Sequence, residues 1–193
     1  MLIFRLLHDW DSKNEEFWNQ LIHEQLGPHV HSDRKLAFIR SREALLQCFA
    51  EIGQNIRIDQ LELESFSQLK AFKQYNFSLS HNKEWGAALL AATSDYLSVG
   101  IDIEEQTREL KKSILKRISH PKDLNLSPII IWSIKEAAFK ALMNSQKFVK
   151  PVDFNSIQIM PDGFVHQSSG IKGKWEQIPH HSLVIIQAWI NGF

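Results

Sequence analysis

Two short segments constrain the fold more than any other part of the chain. The first, residues 98–105, reads Ser-Val-Gly-Ile-Asp-Ile-Glu-Glu, and its alternation of β-branched and acidic residues predicts a strand. Successive side chains of a strand point to opposite faces, so Asp102 and Glu104 share one face. Ile101 and Ile103 take the opposite face and enter a core. The strand therefore carries a pair of carboxylates on one side and a pair of core residues on the other.

The second segment, residues 132–142, reads Trp-Ser-Ile-Lys-Glu-Ala-Ala-Phe-Lys-Ala-Leu and predicts a helix. Glu136 and Lys140 are four positions apart, so they are neighbours on one helical face. If the strand end meets this face, three carboxylates and one lysine converge, and such hard oxygen donors suit Mg²⁺. Each pattern also has a simpler interpretation, as a solvent-exposed helical pair and as the wet face of a half-buried sheet. Spacing alone does not choose between these interpretations.

The residues of these segments carry a resemblance. Gly-Ile-Asp-Ile-Glu at 100–104, followed by Trp-Ser-Ile-Lys-Glu-Ala-Ala-Phe-Lys-Ala at 132–141, resembles the paired signature of the 4′-phosphopantetheinyl transferases. The resemblance is to the longer, single-chain type, which activates carrier domains of peptide, polyketide and siderophore synthases. Phe-Ser-Leu-Ser-His-Asn at 77–82 and the basic segment 32–45 match further upstream. Where many members have Gly-Lys-Pro before the Ser-His motif, residues 69–74 read Leu-Lys-Ala-Phe-Lys-Gln, with Lys70 or Lys73 as candidate replacements.

The resemblance implies an α+β fold of two similar lobes, related by a pseudo-two-fold axis, with the coenzyme at their interface. The polar segment 93–98 is the expected junction, which gives an N-terminal lobe, residues 1–97, on the nucleotide side of coenzyme A. Residues 98–193 form the expected C-terminal lobe with the Mg²⁺ and the catalytic residues. Local patterns predict helices from Asp11 or Ser12 to about Leu26, from Ser32 or Asp33 to Gly53, and over 109–119 and 128–145. They predict strands over 2–7, 56–63, 76–80, 85–92, 98–105, 154–160, 164–167, 172–177 and 182–190.

The resemblance also implies a reaction, the transfer of the phosphopantetheine arm of coenzyme A to a serine of an apo acyl carrier or peptidyl carrier protein, with release of adenosine 3′,5′-bisphosphate. The metal set would be Asp102, Glu104 and Glu136. Glu136 would act as the base, and Lys140 would neutralise the pyrophosphate and protonate the leaving group. The residues expected to bind the coenzyme are Arg34, Arg42, Ser80, His81 and Lys140.

Composition limits the partners and the compartment. The 193 residues contain 22 Lys and Arg against 22 Asp and Glu, so there is no basic excess for a nucleic acid or an anionic membrane. The apolar runs at residues 1–7 and 183–190 are too short for a signal peptide or a membrane span. Cys48 is the only cysteine, which excludes an internal disulfide and fits a reducing compartment. We expect a cytoplasmic protein that is active as a monomer, because two lobes in one chain complete the site.

Two other functions stay open at this point. A Mg²⁺-dependent nuclease or phosphohydrolase also uses Asp, Glu and Lys, although the helical Glu–Lys spacing and the neutral charge do not favour it. A non-catalytic carrier-binding protein of the same fold is compatible with the missing Gly-Lys-Pro. The basic residues of segment 109–119 are either a solvent-exposed face or a docking surface for an acidic carrier; they are Lys111, Lys112, Lys116 and Arg117.

Overall fold

Strands and helices are interspersed along the chain in the computed structural model, which describes residues 1–9, 15–65, 67–145 and 152–192. The strands are β1 (Leu2–Leu7), β2 (Leu63–Ser65), β3 (Gln68–Leu69), β4 (Tyr75–His81), β5 (Gly86–Ala92), β6 (Tyr96–Glu105), β7 (Ile157–Met160), β8 (Gly163–His166), β9 (Lys172–Ile178) and β10 (Leu183–Asn191). The helices are α1 (Glu15–Leu26), α2 (Ser32–Glu51), α3 (Lys112–Ile118) and α4 (Pro128–Asn144). The predicted α+β class is confirmed.

The strands form two larger antiparallel sheets and one small hairpin. The three-stranded sheet has the order β1-β5-β4, and the five-stranded sheet has the order β6-β10-β9-β8-β7. The hairpin pairs β2 with β3. Both β4 and β6 are edge strands of their sheets, and the two strands contact each other side by side. This seam between the sheets is where the candidate site lies.

The two sheets stack face to face, and each carries a helix on its outer face. Alternate residues of β5, such as Ala88 and Leu90, pack with Phe38 and Leu45 of α2 in one core. The intervening residues, such as Leu89, pack against the five-stranded sheet in an inter-sheet core. This inter-sheet core contains Ala87, Leu89, Ala91, Val99, Ile101, Ile103, Leu183 and Ile185. The order of layers is therefore helix, sheet, sheet, helix, because strands with a period of two bury both faces.

Helix α4 lies very close to β6. It begins at Pro128, which suits the first helical position because proline lacks the N–H that would have no partner there. Its stripe of Ile134, Ala138 and Ala141 is fully buried, as the sequence pattern predicts. Opposite this stripe is Gly100, where an added Cβ would lie 1.9 Å from the carbonyl oxygen of Ala137. A glycine at this position is what lets the strand carry Asp102 up to the helix.

Three local predictions differ from the structure or fall outside it. The strand predicted over 154–160 begins only at Ile157, and Phe154–Ser156 forms a 3₁₀ turn, which Asp153 caps by accepting a hydrogen bond from the backbone N–H of Asn155. The strand predicted over 56–63 is wrong: Ile58–Gln60 forms a 3₁₀ turn, and only β2 begins nearby, at Leu63. The turn forms because the side chain of Gln60 accepts a hydrogen bond from the backbone N–H of Arg57, which local alternation of apolar residues does not reveal. The predicted helix start at Asp11 or Ser12 lies outside the described residues, and α1 begins at Glu15 in the described part.

Candidate active site

Asp102 lies at the centre of the seam between β4, β6 and α4. Its side chain is buried, and Oδ1 accepts hydrogen bonds from Ser80 Oγ and from Lys140 Nζ, each at 3.2 Å. The other oxygen, Oδ2, is buried and has no hydrogen-bond partner among the described residues. A buried carboxylate oxygen without a partner is costly, because desolvation is not compensated. A cation or a hydrogen-bond donor that binds this oxygen would therefore offset the cost of its burial.

Lys140 connects α4 to the edge of β6. Its ammonium group donates to the carbonyl oxygen of Ile101 at 2.7 Å, to Ser80 Oγ at 3.3 Å and to Asp102 Oδ1 at 3.2 Å. These three acceptors match the three donors of an ammonium group. The side chain is about one quarter exposed, so the amine is reachable from the adjoining cavity.

Glu104 shares the strand face of Asp102 and has two partners that the sequence analysis did not identify. Its Oε1 accepts a hydrogen bond from Trp132 Nε1 at 2.9 Å and another from Arg108. Burial raises the pKa of Glu104, the hydrogen bond from Arg108 lowers it, and the negative charge of Asp102 raises it, with a net upward shift. Trp132 belongs to the signature quoted above, so its position in the motif was the available signal. Arg108 had none beyond its nearness in sequence.

Glu136 lies one turn of α4 before Lys140 and is half-buried. Burial raises its pKa most, the charge of Lys140 lowers it, and the charges of Asp102 and Glu104 raise it. The carboxyl group thus experiences the charge of every other predicted metal ligand. The structure brings the predicted set of Asp102, Glu104, Glu136 and Lys140 into one electrostatic neighbourhood.

A second ion pair sets the rotation of α4. Lys135 is fully buried, and its Nζ lies 2.8 Å from Asp123 Oδ2, while Asp123 Oδ1 accepts from the backbone N–H of Ile159. Lys135 therefore points away from the site, and the helix presents Glu136 and Lys140 toward β6. The buried position of Asp123 has no local signal in the sequence, because nothing in the pattern of residues 119–127 distinguishes this residue from a surface loop residue.

The donor set can be tested against the predicted Mg²⁺. Among the residues that the structure describes, no group of three or more His, Cys, Asp or Glu side chains is arranged as a ready-made metal site. Asp102 and Glu104 each have one carboxylate oxygen engaged by a cation, Lys140 and Arg108 respectively. The unpartnered Asp102 Oδ2, with Glu104 and Glu136 beside it, still offers the oxygen donors that Mg²⁺ prefers. The chemistry of the residues present is therefore compatible with a Mg²⁺ ion.

The predicted coenzyme-binding residues of the N-terminal half form a positive neighbourhood around His81. This histidine ends β4, and partial burial of its ring lowers its pKa, as do the positive charges of Lys140, Arg42 and Arg34. The three cations near His81 indicate a positive electrostatic potential, which favours the binding of an anion such as a phosphate. Bound phosphate would in turn raise the pKa of His81 and favour its protonated form.

Arg42 is enclosed by its neighbours. Its guanidinium carbon lies 3.3 Å from the centre of the Phe38 ring, and Nη2 donates to Gln25 Oε1 at 3.0 Å. Burial lowers the pKa of Arg42 to about 9, so the group keeps its charge at neutral pH. Arg34, by contrast, is exposed in the first turn of α2. One arginine is thus preorganised by its neighbours and the other is open to solvent.

A cavity of about 410 Å³ adjoins these residues. It lies between β4, β2 and α4, and its lining includes Arg42, Phe77, Phe139, Lys140 and Met143. Another cavity, of about 440 Å³, lies between α1 and the 3₁₀ turn. Its lining includes the carboxylates Glu24, Asp59 and Glu62, which would repel a phosphate. Of the two, the cavity beside Lys140 is the one with cations and apolar walls for a nucleotide-like anion.

The two lysines of the segment that replaces Gly-Lys-Pro both contact carboxylates. Lys70 Nζ contacts Glu62, and Lys73 Nζ lies 3.3 Å from Glu64. All four side chains are well exposed, so these ion pairs are weak and exchange readily. Each lysine would have to leave its carboxylate before it could bind a phosphate, so neither stands out as a preformed replacement.

The fold and the site together define a class of protein: an α+β protein with carboxylates and a lysine beside a cationic cavity. Comparison with known families narrows this class. The model of the 4′-phosphopantetheinyl transferase superfamily matches residues 98–185, the region that contains β6, α3 and α4. This match confirms, for residues 98–185, the recognition made from the motifs. No curated protein matches the chain significantly. The general activity that this match supports is phosphopantetheine transfer.

No helix of the described ranges is both long and apolar enough to cross a bilayer.

Proposed function

We propose that the protein transfers the 4′-phosphopantetheine moiety of coenzyme A to a serine of an apo acyl carrier or peptidyl carrier protein and releases adenosine 3′,5′-bisphosphate. The observation that supports this most directly is the meeting of Asp102, Lys140 and the half-buried Glu136 beside a cationic cavity. We further propose that the chain is of the longer, single-chain type and is a cytoplasmic monomer. Residues on both sides of the proposed lobe boundary at 97/98 line the same site, so one chain supplies all of it.

The proposed chemistry forms one bond and breaks one. The serine oxygen of the carrier attacks the β-phosphorus of coenzyme A, and the bond from this phosphorus to the bridging oxygen breaks. The leaving phosphate of adenosine 3′,5′-bisphosphate keeps the bonding electron pair. Glu136 accepts the serine proton as the general base.

Lys140 and the metal ligands would manage the charge of the pyrophosphate. Lys140 exchanges one of its three protein acceptors for a phosphate oxygen, neutralises the leaving group and is placed to protonate it. Asp102, Glu104 and Glu136 would hold Mg²⁺, with Asp102 contributing its unpartnered Oδ2. Mg²⁺ in such a site supplies charge neutralisation and fixes the orientation of the pyrophosphate oxygens.

The coenzyme would extend from this centre into the cavity beside Lys140. Arg42 and Phe77 on one wall and Phe139 and Met143 on the other give it charge and apolar surface. Arg34 and His81 would contact the nucleotide phosphates, and bound phosphate would reverse the downward shift in the pKa of His81.

The experiment is mass spectrometry of an apo carrier protein incubated with coenzyme A, Mg²⁺ and the enzyme. We expect the carrier to gain one phosphopantetheine group. Asp102→Ala and Glu136→Ala should abolish the modification, and Lys140→Ala should lose much of the rate and keep its Mg²⁺ dependence. Glu105→Ala is the matched control, because Glu105 is an exposed carboxylate beside Glu104 and should leave the rate unchanged. An unmodified carrier that still binds the protein would favour a non-catalytic binding protein, and hydrolysed coenzyme would favour a phosphohydrolase.

A further inference from the structure

Side chains of β4 accept hydrogen bonds from the backbone N–H groups along one edge of β6. β10 pairs with one edge of β6, and β4 lies along the other. On that side the backbone N–H groups of Ile101 and Ile103 donate to Ser78 Oγ and Ser80 Oγ, at 3.1 and 3.3 Å. The hydroxyl groups of Ser78 and Ser80 therefore take the place of the carbonyl groups that a paired strand would provide at this edge. The two serines hold equivalent positions along β6. Ser78 lines the cavity beside Lys140, and Ser80 is hydrogen-bonded to Asp102 and Lys140.

Ser80 uses its whole hydrogen-bonding capacity within the protein. A serine hydroxyl has one donor and two acceptor lone pairs. The acceptors receive the N–H of Ile103 and one proton of Lys140, each at 3.3 Å, so the hydroxyl hydrogen is directed to Asp102 Oδ1 at 3.2 Å. The side chain is 5% exposed. No lone pair or proton of Ser80 is left for a coenzyme phosphate in this arrangement.

The position of Ser80 has a consequence for Asp102. Ser80 and Lys140 both bind Oδ1, and this fixes the carboxylate with Oδ2 buried and unpartnered. Ser80 also holds Lys140, so a single hydroxyl sets the relative position of the anion and the cation. Ser78, two residues away, has the same contact to a β6 amide and no contact to either group.

We propose that Ser80 is a positioning residue, which orients Asp102 toward the divalent ion and Lys140 toward the pyrophosphate, and that it is not a contact of coenzyme A. This role differs from the coenzyme contact that the resemblance implies for Ser80, which stays a prediction, and it rests on the function proposed above. His81, the next residue, remains the proposed contact of the nucleotide phosphate.

The first test compares divalent-ion affinity in Ser80→Ala and Ser78→Ala. Ser78→Ala loses its hydrogen bond to the N–H of Ile101, whereas Ser80→Ala loses its hydrogen bonds to Ile103, Asp102 and Lys140, so Ser80→Ala should be the less stable of the two. Thermal unfolding of both variants is measured first, and the titrations are run at a temperature at which both are folded. Calorimetric titration with Mg²⁺ and Mn²⁺ should show binding about 10- to 100-fold weaker in Ser80→Ala, as for other groups that orient a metal ligand. Ser78→Ala should bind the ions as the wild type does. Equal affinity in the two variants would overturn the proposal.

The second test separates positioning from coenzyme contact. The specificity of each enzyme is measured as the ratio of kcat/KM for coenzyme A to kcat/KM for coenzyme A that lacks its 3′-phosphate. Ser80→Ala should lower kcat and keep the wild-type ratio, whereas His81→Ala should reduce the ratio. A ratio reduced in Ser80→Ala as it is in His81→Ala would make Ser80 a coenzyme contact and overturn the proposal. If the wild type transfers nothing, the proposed function fails, and the ion titration alone still decides the role of Ser80.

Discussion

At the scale of single residues, the site is governed by the cost of burying charge. Burial raises the pKa of both Glu136 and Glu104 above the usual range of a glutamate. The counter-charges of Lys140 and Arg108 offset part of this cost but not all of it. A site that keeps several carboxylates in a half-buried seam is under electrostatic strain, which a divalent ion would relieve.

Glu136→Gln tests this strain directly. The pKa of Glu136 is higher in the folded than in the unfolded chain, so the wild type loses stability as pH rises through these two values. Below the unfolded value both states are protonated, and the variant should match the wild type. Above the folded value the variant should unfold at a higher temperature, while transfer activity is lost. Thermal unfolding in EDTA, from about pH 4 to about pH 8, measures the difference. A difference that does not depend on pH would contradict the assignment.

At the scale of elements, the contact between β6 and α4 decides whether the carboxylates of the strand reach the lysine of the helix. The backbones touch at Gly100, where a Cβ would meet Ala137 O at 1.9 Å and Ala141 N at 2.7 Å. Ser98 Oγ adds a hydrogen bond to Ala141 O at 2.6 Å, and Asn144 donates to Val99 O at 3.2 Å. The strand and the helix are thus also hydrogen-bonded at the two residues that precede the glycine.

Gly100→Ala should therefore reduce both stability and activity. The methyl group has no space unless the helix moves away, and overpacking of this kind costs about 1–3 kcal/mol. The movement would also lengthen the contact between Asp102 and Lys140. Urea unfolding and the transfer assay measure the two effects. Gly192→Ala is the control, because its Cβ would meet Asp95 O at an ordinary 3.4 Å. Equal stability of the two variants would show that the close approach carries no energetic weight.

At the scale of the whole molecule, the two halves of the chain share one core. Ala87, Leu89 and Ala91 of β5 pack with β6 and β10 residues such as Ile103 and Ile185. The seam adds the contacts of Ser78 and Ser80 to the β6 edge. The proposed lobes 1–97 and 98–193 are therefore expected to depend on each other for stability, since separation would expose apolar faces of both sheets.

This dependence predicts the behaviour of the separate halves. A fragment of residues 98–193 should be unfolded or molten alone, with dispersed amide signals appearing only when the fragment of residues 1–97 is added. Two-dimensional NMR of the isolated and mixed fragments is the measurement. The intact chain should unfold in one cooperative transition, seen as coincident curves by fluorescence and circular dichroism. A well-folded isolated fragment 98–193 would show that the inter-sheet core is dispensable.

Much of the fold follows from short-range patterns. The short apolar run at residues 2–7 correctly predicts β1, and the alternation at residues 98–105 correctly predicts β6. The helical period predicts α2 and α4 within a few residues. The same periods place Asp102 with Glu104 on one strand face, and Glu136 with Lys140 on one helical face. The strand predicted over 56–63 is wrong, because the side chain of Gln60 accepts a hydrogen bond from the backbone N–H of Arg57 and a 3₁₀ turn forms there despite the apolar alternation.

The partners of these side chains were decided by the tertiary structure. Ser80 meets Asp102 across 22 positions of sequence, Trp132 meets Glu104 across 28, and Lys140 meets Ser80 across 60. Asp123 and Lys135 likewise form a buried pair that sets the rotation of α4. The sequence by itself determined which residue types lie on which face, because those depend on the local geometry of strands and helices. Only the packing of the two sheets and α4 determined which of them touch, because hydrogen bonds depend on distances that local periodicity does not contain.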